Sequence, residues 1–338
     1  MVLELFEDSN NITWPEVVKD SADYGFVVAG SVGAGSVAPA AGLTEASYRK
    51  ARPEHSAALT GTRARRIVAA SMNARLPADT HTHTRLCRHA GGDPIDYARA
   101  AVARGIPEIA CTDHVYFPRD PHPSIRMKQE EFAEYLALVR AAQDANLCTV
   151  LLGIEADYQR DLVSEHLPAA LDSAEFDVVL GSIHTGPFWD LAPDDPAATP
   201  EFVEQMNRTY YLRMAELART GLYDVCAHFD VVKRAGIHAP EKLLAEIVPP
   251  ALDAVAEAGM AIEINTSGFD HGAAEAYPSA QILAWMQERG IPVCFGSDAH
   301  DPSQLGRHFE QALALAKEAG HTHRAQFRRR KQELVPLP

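Results

Sequence analysis

The sequence predicts an α/β fold in which parallel strands, each followed by a helix, curl into a barrel. Three observations lead there. From about residue 78 onward, seven short apolar runs alternate with amphipathic stretches, and strands separated by helices of this length pair in parallel through right-handed crossovers. Each run ends on, or just before, a histidine, glutamate, aspartate or asparagine, which is where a βα-barrel carries its working residues. The 46% hydrophobic share over 338 residues is ample for a substantial core.

In chain order the expected strands are 78–83 (ADTHTH), 106–112 (IPEIACT), 149–155 (TVLLGIE), 176–183 (FDVVLGSI), 223–227 (YDVCA), 260–265 (MAIEIN) and 291–297 (IPVCFGS). Each is an apolar or alternating run of strand length between turn-formers. The first is the least apolar, but alternation places His81 and His83 on one face if the backbone is extended. That pair suits a metal ion, although histidine is also an ordinary loop and surface residue. Helices fall between the strands. PIDYARAAVARG opens on proline and closes on glycine, the expected punctuation, and DPSQLGRHFEQALALAKEAG reads much the same near the end.

Residues 1–77 read differently, as an extension that is poorly ordered. AGSVGAGSVAPAAG lacks the GK[ST] ending of a phosphate loop and reads as linker. Residues 49–75 hold seven basic side chains against one acid, Glu54, a pattern of a solvated arm. Met72, just before the first strand, is a candidate for the natural translation start, which the intact mass of the natively expressed protein would decide. Residues 78–338 then form the working domain.

Composition excludes some function classes. Forty-six acidic against 31 basic residues give a formal charge of −15, which repels a nucleic-acid backbone while leaving room for a small anion at a local cluster of cations. No apolar run approaches the roughly 18 residues that span a membrane. The opening MVLELFEDSNN carries acids where a signal peptide needs a basic start. Five widely spaced cysteines without a CxxC pair suit a reducing compartment, so the expected location is cytoplasmic. Cys87, set among histidines, is the one thiol to watch.

The strand ends and their loops bring together His81, His83, His89, His114, Glu155, His184, His228, Asn265, Asp298 and His300, which takes in seven of the fifteen histidines. The other eight act as a control. His321 and His323 repeat the HxH spacing but follow a helix among basic residues, and are expected in solvent. His55, His122, His166, His238, His271 and His308 fall in loops or helical stretches, with His122 and His271 on the functional side. Nine metal-competent groups converging at strand ends point to a metal site.

DTHTHTRLCRHAGGD, TDH, GIEADY, LGSIH, AHFDVVKR, IEINTSG, AYPS and GSDAH, in this order over about residues 79–307, resemble the motifs of the polymerase-and-histidinol-phosphatase (PHP) superfamily, in particular its histidinol-phosphatase branch. The resemblance implies a distorted (β/α)7 TIM-like barrel, the PHP fold, holding three divalent metals. It implies His81, His83, Glu155 and Asp298 at one ion, Glu155, His184 and His228 at a second, and His89, His114 and His300 at the third. It also implies hydrolysis of a small phosphorylated substrate, L-histidinol phosphate, in histidine biosynthesis.

The donor types agree with that division. Imidazole and carboxylate together suit zinc, manganese or iron, whereas magnesium prefers oxygen alone. A carboxylate can bridge two ions roughly 3.5–4 Å apart, and Glu155 is the candidate. Water shared by two such ions loses a proton near neutral pH, giving a metal-bridging hydroxide that attacks phosphorus, with Glu155, Asp298 and His184 as the catalytic set. No serine nucleophile is expected, since GSIH and GSDAH lack the G-x-S-x-G elbow. Asp79 and Asp113 either orient imidazoles from behind or make plain turn hydrogen bonds. Lys233 and Arg234 either neutralise phosphate or are surface cations. Tyr158 and Asn265 are candidates for the organic part of the substrate, and Ser182 and Ser297 for strand-end packing or a phosphate hydrogen bond. One departure stands out: many relatives place a basic residue after INTSG, whereas this chain has Asp270 and His271, an acid that either meets a substrate ammonium or points outward. The rival readings are a PHP nuclease or nucleotide phosphatase, for which no basic, aromatic-rich groove is evident; a non-catalytic scaffold, which would have lost ligands; and a metal-dependent amidohydrolase.

Overall fold

The computed structural model describes residues 76–117, 124–160 and 163–338. Expectations for residues 1–75, Met72 included, and for His122 lie outside the described residues. All seven expected strands are present: β1 (Asp79–Thr82), β2 (Glu108–Cys111), β3 (Thr149–Asp157), β4 (Val178–Ser182), β5 (Val225–Cys226), β6 (Ala261–Asn265) and β7 (Val293–Gly296). Each is followed by its helix: α1 (Pro94–Arg104), α2 (Phe132–Asp144), α3 (Val163–Asp172), α4 (Pro200–Arg219), α5 (Glu241–Ala258), α6 (Ala280–Glu288) and α7 (Phe309–Glu318). The strands lie side by side in chain order and are parallel through β7. β1 also lies against β7. Thr82 forms a parallel bridge with Ala299, the His83 N–H donates to Ala299 O at 2.9 Å, and Thr80 Oγ1 donates to Phe295 O at 2.9 Å. The seven strands thus come round on themselves, and the thin seam between first and last makes the barrel a distorted one.

Local chemistry explains where elements stop. Helix α1 starts at Asp93, which forms a reciprocal capping box with Asp96 ahead of Pro94, and ends at Gly105 in the left-handed conformation, φ 70°. The last helix corrects the sequence reading. It begins at Phe309, not near Pro302, because residues 301–308 are held irregularly: the Gly306 N–H, at φ 64°, donates to the buried Asp79 carboxylate at 2.9 Å. That segment therefore runs beside the strand ends instead of coiling away.

Two strands were not expected. β8 (His323–Arg328) and β9 (Lys331–Pro336) form an antiparallel hairpin after α7. β8 pairs with the start of β7 through Arg324, and its Gln326 and Arg328 bond Glu108 at the start of β2. The hairpin turn reaches Asp177 and Asp224, just ahead of β4 and β5. The hairpin consequently lies across the amino-terminal mouth of the barrel. Ala325 and Phe327 complete an inner core with Ala110, Leu151, Leu180, Val225 and Cys294. At that end the barrel is plugged; the other end is left for the site.

His321 corrects a further expectation. It is 5% exposed, with Nε2 3.3 Å from Leu283 O, and burial pushes its pKa down. A histidine that charges in the unfolded chain but stays neutral in the fold contributes stability that is complete above the unfolded value and declines as pH falls below about 6.5. His321→Gln is therefore expected to lessen the acid sensitivity of the melting temperature relative to the parent protein, read by calorimetry from neutral pH downward.

Candidate metal centre

At the carboxyl ends of the strands, Glu155 on β3 is the hub. It is completely buried, and its two oxygens face five imidazoles. Oε2 lies 3.3 Å from His81 Nε2, 3.5 Å from His83 Nε2 and 2.9 Å from His114 Nδ1. Oε1 lies 3.0 Å from His228 Nε2 and 3.4 Å from His184 Nε2. Asp298, just past β7, adds Oδ1 at 3.2 Å from His83 Nε2 and 3.7 Å from His81 Nε2. His89 and His300 approach each other at 2.7 Å through their Nε2 atoms, and the His83 ring lies 4.5 Å from both His114 and His300. The nine expected metal-competent residues therefore occupy one continuous cluster.

The cluster fits cations. Four tetrahedral donors bonded to one ion at 2.0–2.1 Å stand about 3.3 Å apart. Among His81 Nε2, His83 Nε2, Glu155 Oε2 and Asp298 Oδ1, the five separations that involve an imidazole are 3.0, 3.3, 3.7, 3.5 and 3.2 Å. His114 Nδ1 and Glu155 Oε2 are buried 2.9 Å apart without a hydrogen-bond partner, a costly state unless something else satisfies both.

The far side of the rings is equally ordered. His81 Nδ1 lies 2.8 Å from Glu263, His184 Nδ1 2.6 Å from Asp157, His83 Nδ1 3.3 Å from Cys87 Sγ, His89 Nδ1 2.6 Å from Cys87 O and His300 Nδ1 2.9 Å from Asp298 O. Five of the seven imidazoles are thus turned so that Nε2 faces inward, the arrangement that fixes tautomer and ring orientation at metal sites. Glu263 and Asp157 were missed by the sequence reading. The expected alternatives, Asp79 and Asp113, touch no imidazole. Asp79 accepts the Ser297 and Gly306 N–H groups, and Asp113 accepts the Thr84 N–H and hydroxyl, so both play the turn role. Burial raises each of these two carboxyls to about 6.

Electrostatics follow from the crowding. Burial would raise the carboxyl of Glu155, but His184, His114 and His81 hold it well below the usual range. Burial pulls against charge on His81, yet Glu263, Glu155 and Asp298 keep its pKa well above the ordinary value. Burial together with the neighbouring His300 and His114 pushes His83 well down, and burial takes His114 to about 3. Asp157 stays ionised despite burial because Arg126, itself 1% exposed, pairs with it.

Backbone strain sits at the same place. His228 and Asp298 have φ of 29° and 50°, a conformation that costs about 1–3 kcal/mol for non-glycine residues and persists where the surroundings enforce it. Glu263 does so for His228 by accepting its N–H at 2.8 Å. Glu263 in turn needs Gly296, where an added Cβ would stand 1.7 Å from its Oε1 and 2.7 Å from His81 Cβ. Gly296→Ala is expected to destabilise the protein by about 3 kcal/mol, or roughly 6–12 °C of melting temperature, and to lower its metal content, both measurable on purified protein.

Beside the cluster opens a cavity of about 830 Å³, with His89, His114, His184, Asp298 and His300 on its floor and Trp189, Arg234 and Arg307 on its walls. Of the expected substrate contacts, only Arg234 lines it; His271 lines it as well. The other four are corrected by their partners. Lys233 is buried in ion pairs with Asp230 and Glu275. Tyr158 donates to Glu216. Ser182 bonds Asp157 behind His184. Asn265 bonds Glu263 and accepts from Ser267. Their polar atoms are committed inside the protein, so they shape the site from behind.

Comparison with known proteins finds relatives of this chain. The family model for the PHP domain matches residues 79–267, and one described as PHP-associated matches residues 279–317. A probable histidinol-phosphatase of Deinococcus radiodurans is 36% identical over 261 residues, covering 75% of this chain and 98% of the relative. A histidinol-phosphatase of Lactococcus lactis subsp. lactis is 26% identical over 74% of this chain and 93% of its own length. The crystal structure of histidinol phosphate phosphatase from Lactococcus lactis, complexed with zinc, L-histidinol and phosphate, superposes with a TM-score of 0.62 at 23% identity, covering 77% of this chain and all of that one.

Proposed function

The chain belongs to the PHP domain family, and from that premise we propose that it is a metal-dependent phosphomonoesterase, a histidinol-phosphatase that converts L-histidinol phosphate and water to L-histidinol and phosphate. The observation that carries the reading is Glu155, one buried carboxylate facing five imidazoles, two of which, His114 and His184, line the floor of an open cavity. The chemistry of the relatives favours the same reaction.

The donor set supports three divalent ions, zinc, manganese or iron: one at His81, His83, Glu155 and Asp298, one at Glu155, His184 and His228, and one at His89, His114 and His300. Bound there, such ions acidify water and offset the charge of the phosphoryl oxygens. The protein's own groups do the rest. Asp157 holds His184 at Nδ1, and Asn265 and Ser267 hold Asp298 at Oδ2, so the floor is preorganised before substrate enters. Arg234 lies with its guanidinium 5.0 Å over the Trp189 ring, a contact that fixes a cation at the wall while leaving N–H donors for an anion. Trp189, Val231 and Pro187 offer an apolar surface to the organic part of the substrate.

The five cysteines are free, which suits a cytoplasmic setting. Among the described residues no helix is long and apolar enough to cross a membrane.

Phosphate release from L-histidinol phosphate, measured beside nucleoside monophosphates on metal-loaded protein, tests the proposal. A clear preference in kcat/KM for L-histidinol phosphate is expected. Preference for nucleotides would move the function to a nucleotide phosphatase, and silence toward every phosphate ester would end the phosphatase reading.

A further inference from the structure

The acid after INTSG, Asp270, has a definite partner. Asp270 neither stands alone at the surface nor lines the cavity. Its Oδ2 accepts from Arg307 Nη1 at 3.2 Å, and its Oδ1 lies 2.9 Å from His308 Nε2, whose ring packs 5.3 Å from Phe269. Arg307 comes from the irregular segment ahead of α7 and is held on two further edges: Nε donates to Ser297 O at 3.0 Å and Nη2 to Asp298 O at 3.1 Å. A guanidinium carries five N–H groups in a fixed plane. Three are engaged, one on each nitrogen, so one N–H remains on each terminal nitrogen. Arg307 lines the cavity, and its side chain is 17% exposed.

Resting on the phosphomonoesterase reading above, we propose that Arg307 is a phosphate-binding residue of this site, donating its two remaining N–H groups to phosphoryl oxygens, and that Asp270 is the positioning residue that sets its plane. Two parallel donors on a planar cation match two oxygens of a tetrahedral phosphate. The anchors make this a built feature. Two backbone carbonyls at the end of β7 and one carboxylate from the loop after β6 fix the guanidinium directly beside Asp298, at the edge of the metal cluster. A surface arginine pays side-chain entropy to hold such a pose; Arg307 is already immobilised before the anion arrives. The acid after INTSG thus acts on the anion indirectly, by holding a cation contributed from elsewhere in the chain.

The test is product inhibition on metal-loaded protein, with inorganic phosphate and L-histidinol as separate inhibitors of whichever phosphomonoester the protein hydrolyses. For Arg307→Met the inhibition constant of phosphate should rise roughly 10- to 100-fold, as for loss of charge-assisted hydrogen bonds, while that of L-histidinol changes less than about twofold. Asp270→Asn keeps a hydrogen-bond acceptor but not the charge, and should raise the phosphate constant and KM several-fold with kcat held closer to the parent value; Arg307→Lys should recover only part of the loss. Metal content and melting temperature, measured on each variant, report folding separately. An unchanged phosphate constant in Arg307→Met overturns the proposal, as does an equal rise for both products. Asp270→Asn decides the matter if Arg307→Met does not fold: an unchanged KM and phosphate constant there also overturns it. If L-histidinol phosphate is not the substrate, the histidinol-phosphatase reading falls, but the phosphate arm still tests Arg307.

Discussion

Glu155→Gln is expected to lower turnover by at least ~10³-fold, the equivalent of about 4 kcal/mol of lost transition-state stabilisation. The reason is geometric and electrostatic together. Oε1 and Oε2 stand within 3.5 Å of five imidazole nitrogens, and an amide replaces one of those oxygens by an NH2 donor. That donor points hydrogens at ring nitrogens whose outer Nδ1 atoms are, for His81, His83 and His184, already committed to Glu263, Cys87 and Asp157. The substitution also removes the negative charge that all five rings share. Turnover measured with metal content separates the two consequences: the variant should hold fewer ions per chain and remain slow when ions are supplied in excess. His184→Asn should also lose most of its turnover, but it disturbs one edge of the cluster, whereas Glu155 joins both halves. Near-parent turnover in either variant would count against the assignment of the centre.

Much of the architecture was legible because the barrel writes one rule into every unit: an apolar strand, then a polar group at its carboxyl end. His81, Glu155, His184, His228 and Asp298 all follow it, and all meet. What the rule conceals is the support behind the ligands. Glu263 lies within MAIEIN, a charge in an otherwise apolar strand, and a buried charge is costly unless it has a partner. That was the available signal, and the partners are His81 Nδ1 and the His228 N–H. Asp157, two residues beyond Glu155 on the same strand face, carried the same hint. Asp79 shares the strand face of His81 and Asp113 adjoins His114, but Asp79 accepts the Ser297 and Gly306 N–H groups and Asp113 the Thr84 N–H and hydroxyl, because buried loop amides must be satisfied. The β8–β9 hairpin was hidden by its charge. HRAQFR reads as polar, yet Ala325 and Phe327 point into the barrel while Arg324, Gln326 and Arg328 take the other face, a period-two pattern too short to stand out among basic neighbours.

Removal of metal is expected to bring activity below about 1% of the loaded protein, a loss of more than ~2.7 kcal/mol, and zinc, manganese or iron should restore it where magnesium does not. Magnesium demands octahedral oxygen ligands and gives up water reluctantly, whereas each proposed ion here takes at least two imidazole nitrogens. The same donors tie the metal to protons. In the metal-free cluster Glu263, Glu155 and Asp298 hold the pKa of His81 well above its ordinary value, so its Nε2 carries a proton that an ion must displace. Metal uptake should therefore release protons, detectable in weakly buffered solution with an indicator dye, and affinity should strengthen as pH rises toward neutrality and beyond. The sign follows from the raised value: below it the imidazolium competes with the cation, and above it the lone pair is free. A measured affinity independent of pH would mean that His81 is not a ligand, and restoration by magnesium alone would mean that the nitrogen-rich set does not select the ion.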